Sequence, residues 1–230
     1  MDPIADAGAL VTERFPDALA AFLGGGVLSA RRTATSDLDV VVVIAGPPAP
    51  FRESLRWRGW PVELFVHDQA SIERYFALDT AHRKPNLARM VADGAPLAGR
   101  EDIRTAITER ARSVLAAGPP ELTTAELDWR RYGLTDLLDD LAGSTDPGET
   151  AVICWTAWRQ TAELALLLAG HWLGGGKWLL RELRAADPAL AAELVAASGD
   201  PARLIAVADL VLGRAGGRLW AGYRAEGQRD

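Results

Sequence analysis

Asp37 and Asp39 stand one residue apart, directly before the apolar run Val40–Ile44 (VVVVI). Side chains of an extended segment alternate between faces, so carboxylates at i and i+2 share a face. A strand this apolar predicts burial, and carboxylates carried beside it need a cation or another strong functional reason. Glu63 lies near the start of a second β-run, Pro61–Val66 (PVELFV), and would sit opposite the aspartates if the two strands pair. Three convergent carboxylates suit Mg²⁺, which takes oxygen ligands from a few acidic groups and from substrate phosphates. Two such ions can clamp the attacking and leaving oxygens of a phosphoryl displacement. Ahead of the aspartates, Gly24-Gly25-Gly26 has no side chains, so its backbone amides can approach a triphosphate closely. Ser29, Thr33 and Ser36 could add hydrogen bonds, and Arg31 and Arg32 either neutralise charge or point to solvent.

The elements that must position these groups follow from pattern and punctuation. A first helix is expected over Pro3–Arg14, then a strand over Ala18–Leu23 that runs into the glycines. Residues 38–44 form the next strand, ended by Gly46-Pro47-Pro48, and a polar link leads to the strand at 61–66. Residues 70–79 and 101–115 read as helices, the latter with Ile103, Ile107, Val114 and Leu115 on one side. Ala116–Pro120 (AAGPP) is the best linker in the chain, which divides it into domains at 1–118 and 121–230. Beyond it the pattern is helical throughout. Thr123 and Glu126 match a capping box. Asp146-Pro147, Asp187-Pro188 and Asp200-Pro201 each place an acidic N-cap before a proline at the first helical position. Gly174-Gly175-Gly176 precedes a helix that begins near Lys177. The expected fold class is α+β: a small mixed β-sheet domain followed by an all-helical bundle.

Composition bounds the partners. The chain has 230 residues, 49% of them hydrophobic, and a formal net charge of -6. An acidic balance argues against general binding to DNA or to an anionic membrane, and suits a small, cationic acceptor. The single cysteine, Cys154, rules out an internal disulfide framework and sits in an apolar helical pattern that reads as core. Asp2, Asp6, Glu13 and Arg14 interrupt the first apolar stretch, which is neither a signal peptide nor a membrane span. A soluble cytoplasmic protein is the expectation. His67, His82 and His171 share no metal-ligand spacing, and His67, on the strand face of Glu63, reads first as a surface residue and second as one that supports the site or touches substrate. Trp155, Trp158, Trp172, Trp178 and Trp220 read chiefly as core or interface, and Asp136, Asp139 and Asp140 as a solvated helix face.

The order of these motifs resembles the nucleotidyltransferase superfamily related to DNA polymerase beta. Gly25-Gly26, ten residues, Asp37-Leu38-Asp39, an apolar strand and a later carboxylate follow the family's order. The resemblance implies that Asp37, Asp39 and Glu63 bind metal and carry catalysis, and that Gly25, Gly26 and Ser36 bind nucleotide. Small antibiotic-type members join such a domain to a helical bundle. The stretch from Trp155-Thr156-Ala157-Trp158-Arg159 through Gly176-Lys177-Trp178 resembles the bundle segment of aminoglycoside adenylyltransferases, where Lys177 matches a lysine that touches the triphosphate. The implied reaction is Mg²⁺-dependent transfer of AMP from ATP, or of another nucleoside monophosphate from its NTP, to a hydroxyl of a small, aminoglycoside-like acceptor. Gly26 stands where many members carry serine, and Ala30 where a glycine is common. Those departures support an alternative, a catalytically silent nucleotide-binding or regulatory protein. A protein- or RNA-modifying enzyme of toxin–antitoxin type is a third reading, against which the helical half and the lack of a basic stripe both count. Acceptor, base preference and oligomeric state stay open.

Overall fold

The computed structural model describes residues 2–30 and 32–226. The chain divides into two compact units, Met1–Gly118 and Pro119–Asp230. The fold is α+β, with a mixed sheet and helices in the first unit and helices alone in the second.

The first unit opens with α1 (Pro3–Arg14), whose start is fixed by the Asp2 carboxylate accepting from the amides of Ile4 and Ala5. Strand β1 (Ala20–Gly24) follows, then a single 3₁₀ turn at Gly26–Leu28 and β2 (Leu38–Val43). The segment expected as a polar link instead forms β3 (Phe51–Trp57), which turns back through Arg58 and Gly59 into β4 (Trp60–His67). Both turn residues have positive φ, 48° and 88°, as a two-residue hairpin loop of the favoured twist requires. Next come α2 (Gln69–Ala81), α3 (Asn86–Ala92), β5 (Ala95–Gly99) and α4 (Glu101–Ala117). Sequence pattern missed α3 and β5, which are short.

The strand order is β3-β4-β2-β1-β5, with β2 and β4 parallel and the other neighbours antiparallel. One face carries Leu23, Val40, Val42, Val62, Leu64 and Val66 against Leu10 and Val11 of α1. The other carries Phe22, Val41 and Val43 against Ile72, Phe76, Leu87, Val91 and Val114 of α2, α3 and α4. Each Val of the β2 run is therefore buried, because both faces are covered. At full burial such side chains contribute roughly 1.5–3 kcal/mol apiece.

The second unit holds α5 (Thr124–Gly143), α6 (Pro147–Leu168), α7 (Lys177–Ala186), α8 (Pro188–Ala196) and α9 (Pro201–Arg214). The Thr123–Glu126 capping box is formed in both directions, and Asp146, Asp187 and Asp200 each accept first-turn amides. Its core gathers Leu134, Leu138, Ala162, Leu166, Leu194 and Val211, with Cys154 buried at its edge. Trp172 is buried, whereas Trp155, Trp178 and Trp220 are exposed and so lie outside the core. The indole of Trp220 stacks on Tyr132 instead. Asp139 of the acidic helix face is paired with Arg218 at 2.6 Å. Among the described residues, no helix is long and apolar enough to cross a membrane.

Candidate functional site

Register brings the expected carboxylates together. In the parallel β2–β4 pair, Asp39 stands directly opposite Glu63, and in the β1–β2 pair Asp39 stands opposite Gly24. Asp37, one residue before β2, completes the group: each of Asp37, Asp39 and Glu63 offers a carboxylate oxygen within 4.8 Å of the other two. All three are half-buried, on the sheet face that carries Val41 and Phe65. Like charges this close repel, and a hard divalent cation with oxygen ligands is the species that relieves them. The donor set fits Mg²⁺.

The glycine turn is built against the same carboxylate. Gly25 has φ 79°, and a Cβ there would lie 2.1 Å from Asp39 Oδ2. Backbone and carboxylate are thus packed with no space for any side chain, and the left-handed conformation suits glycine alone. At Gly26, which opens the 3₁₀ turn, an added Cβ would meet nothing within 4 Å, so a serine fits there. Ser29 Oγ donates to the Gly26 carbonyl at 2.8 Å. Ser36 Oγ accepts from the Thr33 amide at 2.9 Å, closing the turn that delivers the chain to Asp37. Its role in the turn is structural whether or not it also meets a ligand. The guanidinium of Arg32 lies over the Trp60 ring at 4.6 Å, and Arg31 lies outside the described residues. Lys177 is exposed at the first position of α7, after Gly176 with φ 50°.

Three neighbours were not singled out from sequence. Arg52 of β3 donates to Glu63 Oε2 at 2.5 Å and lies over the Phe65 ring at 4.8 Å. It falls in the segment read as a link, so no pattern signalled it. Tyr75 of α2 meets the His67 ring edge-on, with centroids 5.0 Å apart. Asp79, also on α2, accepts from the Leu87 amide at 2.9 Å and so caps α3. Burial holds its carboxyl above the usual range, a shift that the hydrogen bond from Leu87 opposes.

His67 corrects an expectation. It is only 5% exposed rather than a surface residue, because α2 folds back over the end of β4. Its Nδ1 is buried with no hydrogen-bond partner. Burial pushes the imidazole below its ordinary pKa, and Asp68 pulls it partly back.

No family model matches the chain, and no curated protein matches it. Among solved structures, a nucleotidyltransferase-like protein from Exiguobacterium sibiricum 255-15 is similar at 14% identity with a TM-score of 0.46. The match covers 93% of this chain and 74% of that one.

Proposed function

We propose that the chain is a nucleotidyltransferase that moves a nucleoside monophosphate, AMP from ATP, onto a hydroxyl of a small molecule. The observation that carries this reading is the packing of Asp37, Asp39 and Glu63 around one point, with the Gly25 backbone pressed against Asp39. The motif order that resembles polymerase-beta-type nucleotidyltransferases supports it.

Asp37, Asp39 and Glu63 would hold Mg²⁺, which when bound polarises phosphoryl oxygens and neutralises their charge. Amides of Gly25 and Gly26, with Ser36, would hold the triphosphate. Glu63 takes the proton from the acceptor hydroxyl. The hydroxyl oxygen then bonds to the α-phosphorus while the bond from that phosphorus to the bridging oxygen breaks, and pyrophosphate leaves. The amides at Gly25 and Gly26 are fixed before the reaction, so they stabilise the leaving charge without reorganising. An aminoglycoside-like acceptor is the class that the motif resemblance and the acidic composition favour.

Pyrophosphate release from ATP with Mg²⁺ and a panel of amino sugars tests the reading. Turnover should require the metal and fall by about 10²-fold or more in Asp39→Asn, the scale set by losing a preorganised electrostatic group. Full turnover in that variant would overturn the metal assignment. A second reading, nucleotide binding without turnover, is motivated by Gly26, which brings no hydroxyl, and by Ala30. Saturable ATP binding with Mg²⁺ and no product from any acceptor would favour it.

A further inference from the structure

A cavity of about 770 Å³ opens in the second unit, between the first half of α6 and the α8–α9 connection. Its size falls within the range of small-molecule sites, about 300–1,000 Å³. Trp155 and Trp158, three apart and so neighbours on the surface of α6, both line it. Cys154, Ala197 and Leu204 form its buried floor.

The walls are fixed before any ligand arrives. Trp158 Nε1 donates to the Leu194 carbonyl at 2.7 Å and so ties α6 to the end of α8. Asp146 and Asp200 accept first-turn amides of α6 and α9, which holds the two helix starts that border the opening. The Arg159 guanidinium lies 5.8 Å from the Trp155 ring centroid and orients an indole that is 66% exposed. Preformed walls cut the ordering cost of binding.

The chemistry of the lining selects the ligand. Among the described residues none of the lining side chains carries a charge, in a chain of which 24% is Asp, Glu, Lys or Arg. Burial, and then the Asp200 charge, pushes the Cys154 thiol above its ordinary pKa, so it stays neutral too. Polar hydrogens of the walls are already taken up: Thr150 Oγ1 donates to the Asp146 carbonyl at 2.8 Å, as Trp158 does to Leu194. An ionic ligand would lose hydration here and gain no counter-charge from the lining. The two indoles offer flat apolar faces instead, on which aromatic rings pack offset or edge-on. A protein partner fits less well, since a stable interface draws on about 20–30 residues a side and this lining has twelve.

We propose that this cavity binds a neutral, planar small molecule of two or three aromatic rings, held against Trp155 and Trp158. Binding requires no nucleotidyltransferase activity, since all of these residues belong to the second unit.

Fluorescence titration of the full chain with N-phenyl-1-naphthylamine, a neutral compound of three aromatic rings, is the test. Emission should rise to saturation at one probe per chain. Ala151 lines the cavity and is exposed, so Ala151→Trp fills the space without entering the core and should abolish the signal. Trp155→Ala should weaken binding about five-fold, the scale of one aromatic contact. Circular dichroism of both variants should match wild type. The sulfonated relative of the probe, 8-anilinonaphthalene-1-sulfonate, should bind about ten-fold or more weakly, because its charge finds no partner. Decanol should not displace the probe. No saturable binding, or binding that both Ala151→Trp and Trp155→Ala leave intact, would overturn the site. Equal affinity for the sulfonate, or displacement by decanol, would overturn the ligand class. A wild-type dimer that Ala151→Trp converts to monomer in sedimentation would overturn it too, by showing that a second copy fills the cavity.

Discussion

A side chain at Gly25 would collide with Asp39 Oδ2, whereas the next residue, Gly26, faces open space. Gly25→Ala should therefore displace the carboxylate and lower Mg²⁺-dependent ATP binding by at least ten-fold while circular dichroism stays near wild type. Gly26→Ser should bind ATP as well as wild type or better, since its hydroxyl adds a donor beside the turn; calorimetry reads both. Arg52 makes a different prediction. Its guanidinium already occupies Glu63, so a divalent cation must compete with it. Arg52→Ala should bind Mg²⁺ more tightly in the absence of nucleotide, and a weaker apparent affinity would reject that competition. At this scale the aspartate pair and the glycines were legible, because spacing alone puts two carboxylates on one strand face. Arg52 was not, since a positive charge in a seemingly irregular segment has no pattern to mark it.

The β3–β4 hairpin is tied to α1 at two residues, Arg14, which donates to both carboxylate oxygens of Glu53 at 2.9 and 3.0 Å, and Asp6. Asp6 accepts from Trp60 Nε1 at 3.1 Å and from Arg58, while its backbone carbonyl accepts from Trp57 Nε1 at 3.0 Å. The Trp60 hydrogen bond, more than the nearby Arg58 charge, holds its carboxyl below the usual range. A lowered carboxylate contributes stability above its unfolded value, 3.8, and loses it as pH falls through the folded value. Asp6→Asn should flatten the acid limb of a denaturation series below pH 4. The buried His67 at the end of β4 works at higher pH. Its folded value lies below 6.5, so the unfolded chain binds the extra proton and stability falls as pH drops from about 6.5 toward the folded value. Urea midpoints between pH 7 and 5 should show that slope, and His67→Gln should reduce it. Sequence exposed β2 and β4 through their apolar runs, yet β3 was hidden because Glu53 interrupts the alternation of Phe51, Leu55 and Trp57. The burial of His67 was equally hidden, since it depends on where α2 crosses the strand end.

Each half of the chain closes its own core, and the carboxylates and glycine turn belong to residues before Gly118. Fragments 1–118 and 119–230 should each fold, giving separate cooperative thermal transitions; an unfolded first fragment would show that its core is insufficient alone. The division was legible from Ala116–Pro120, where Gly118 ends α4 with φ 75° and two prolines follow. The pairing of β1 with β5 was not, because it joins Leu23 to Ala95, across three strands and two helices of intervening chain, by register alone. That long-range pairing also sets a schedule. The sheet cannot be completed on a ribosome until Gly99 has been made, and residues 119–230 follow it. At ordinary synthesis speeds of about 5–20 residues per second, making those residues takes roughly 6–22 s. The growing chain can therefore bring Asp37, Asp39 and Glu63 together before its helical half is complete.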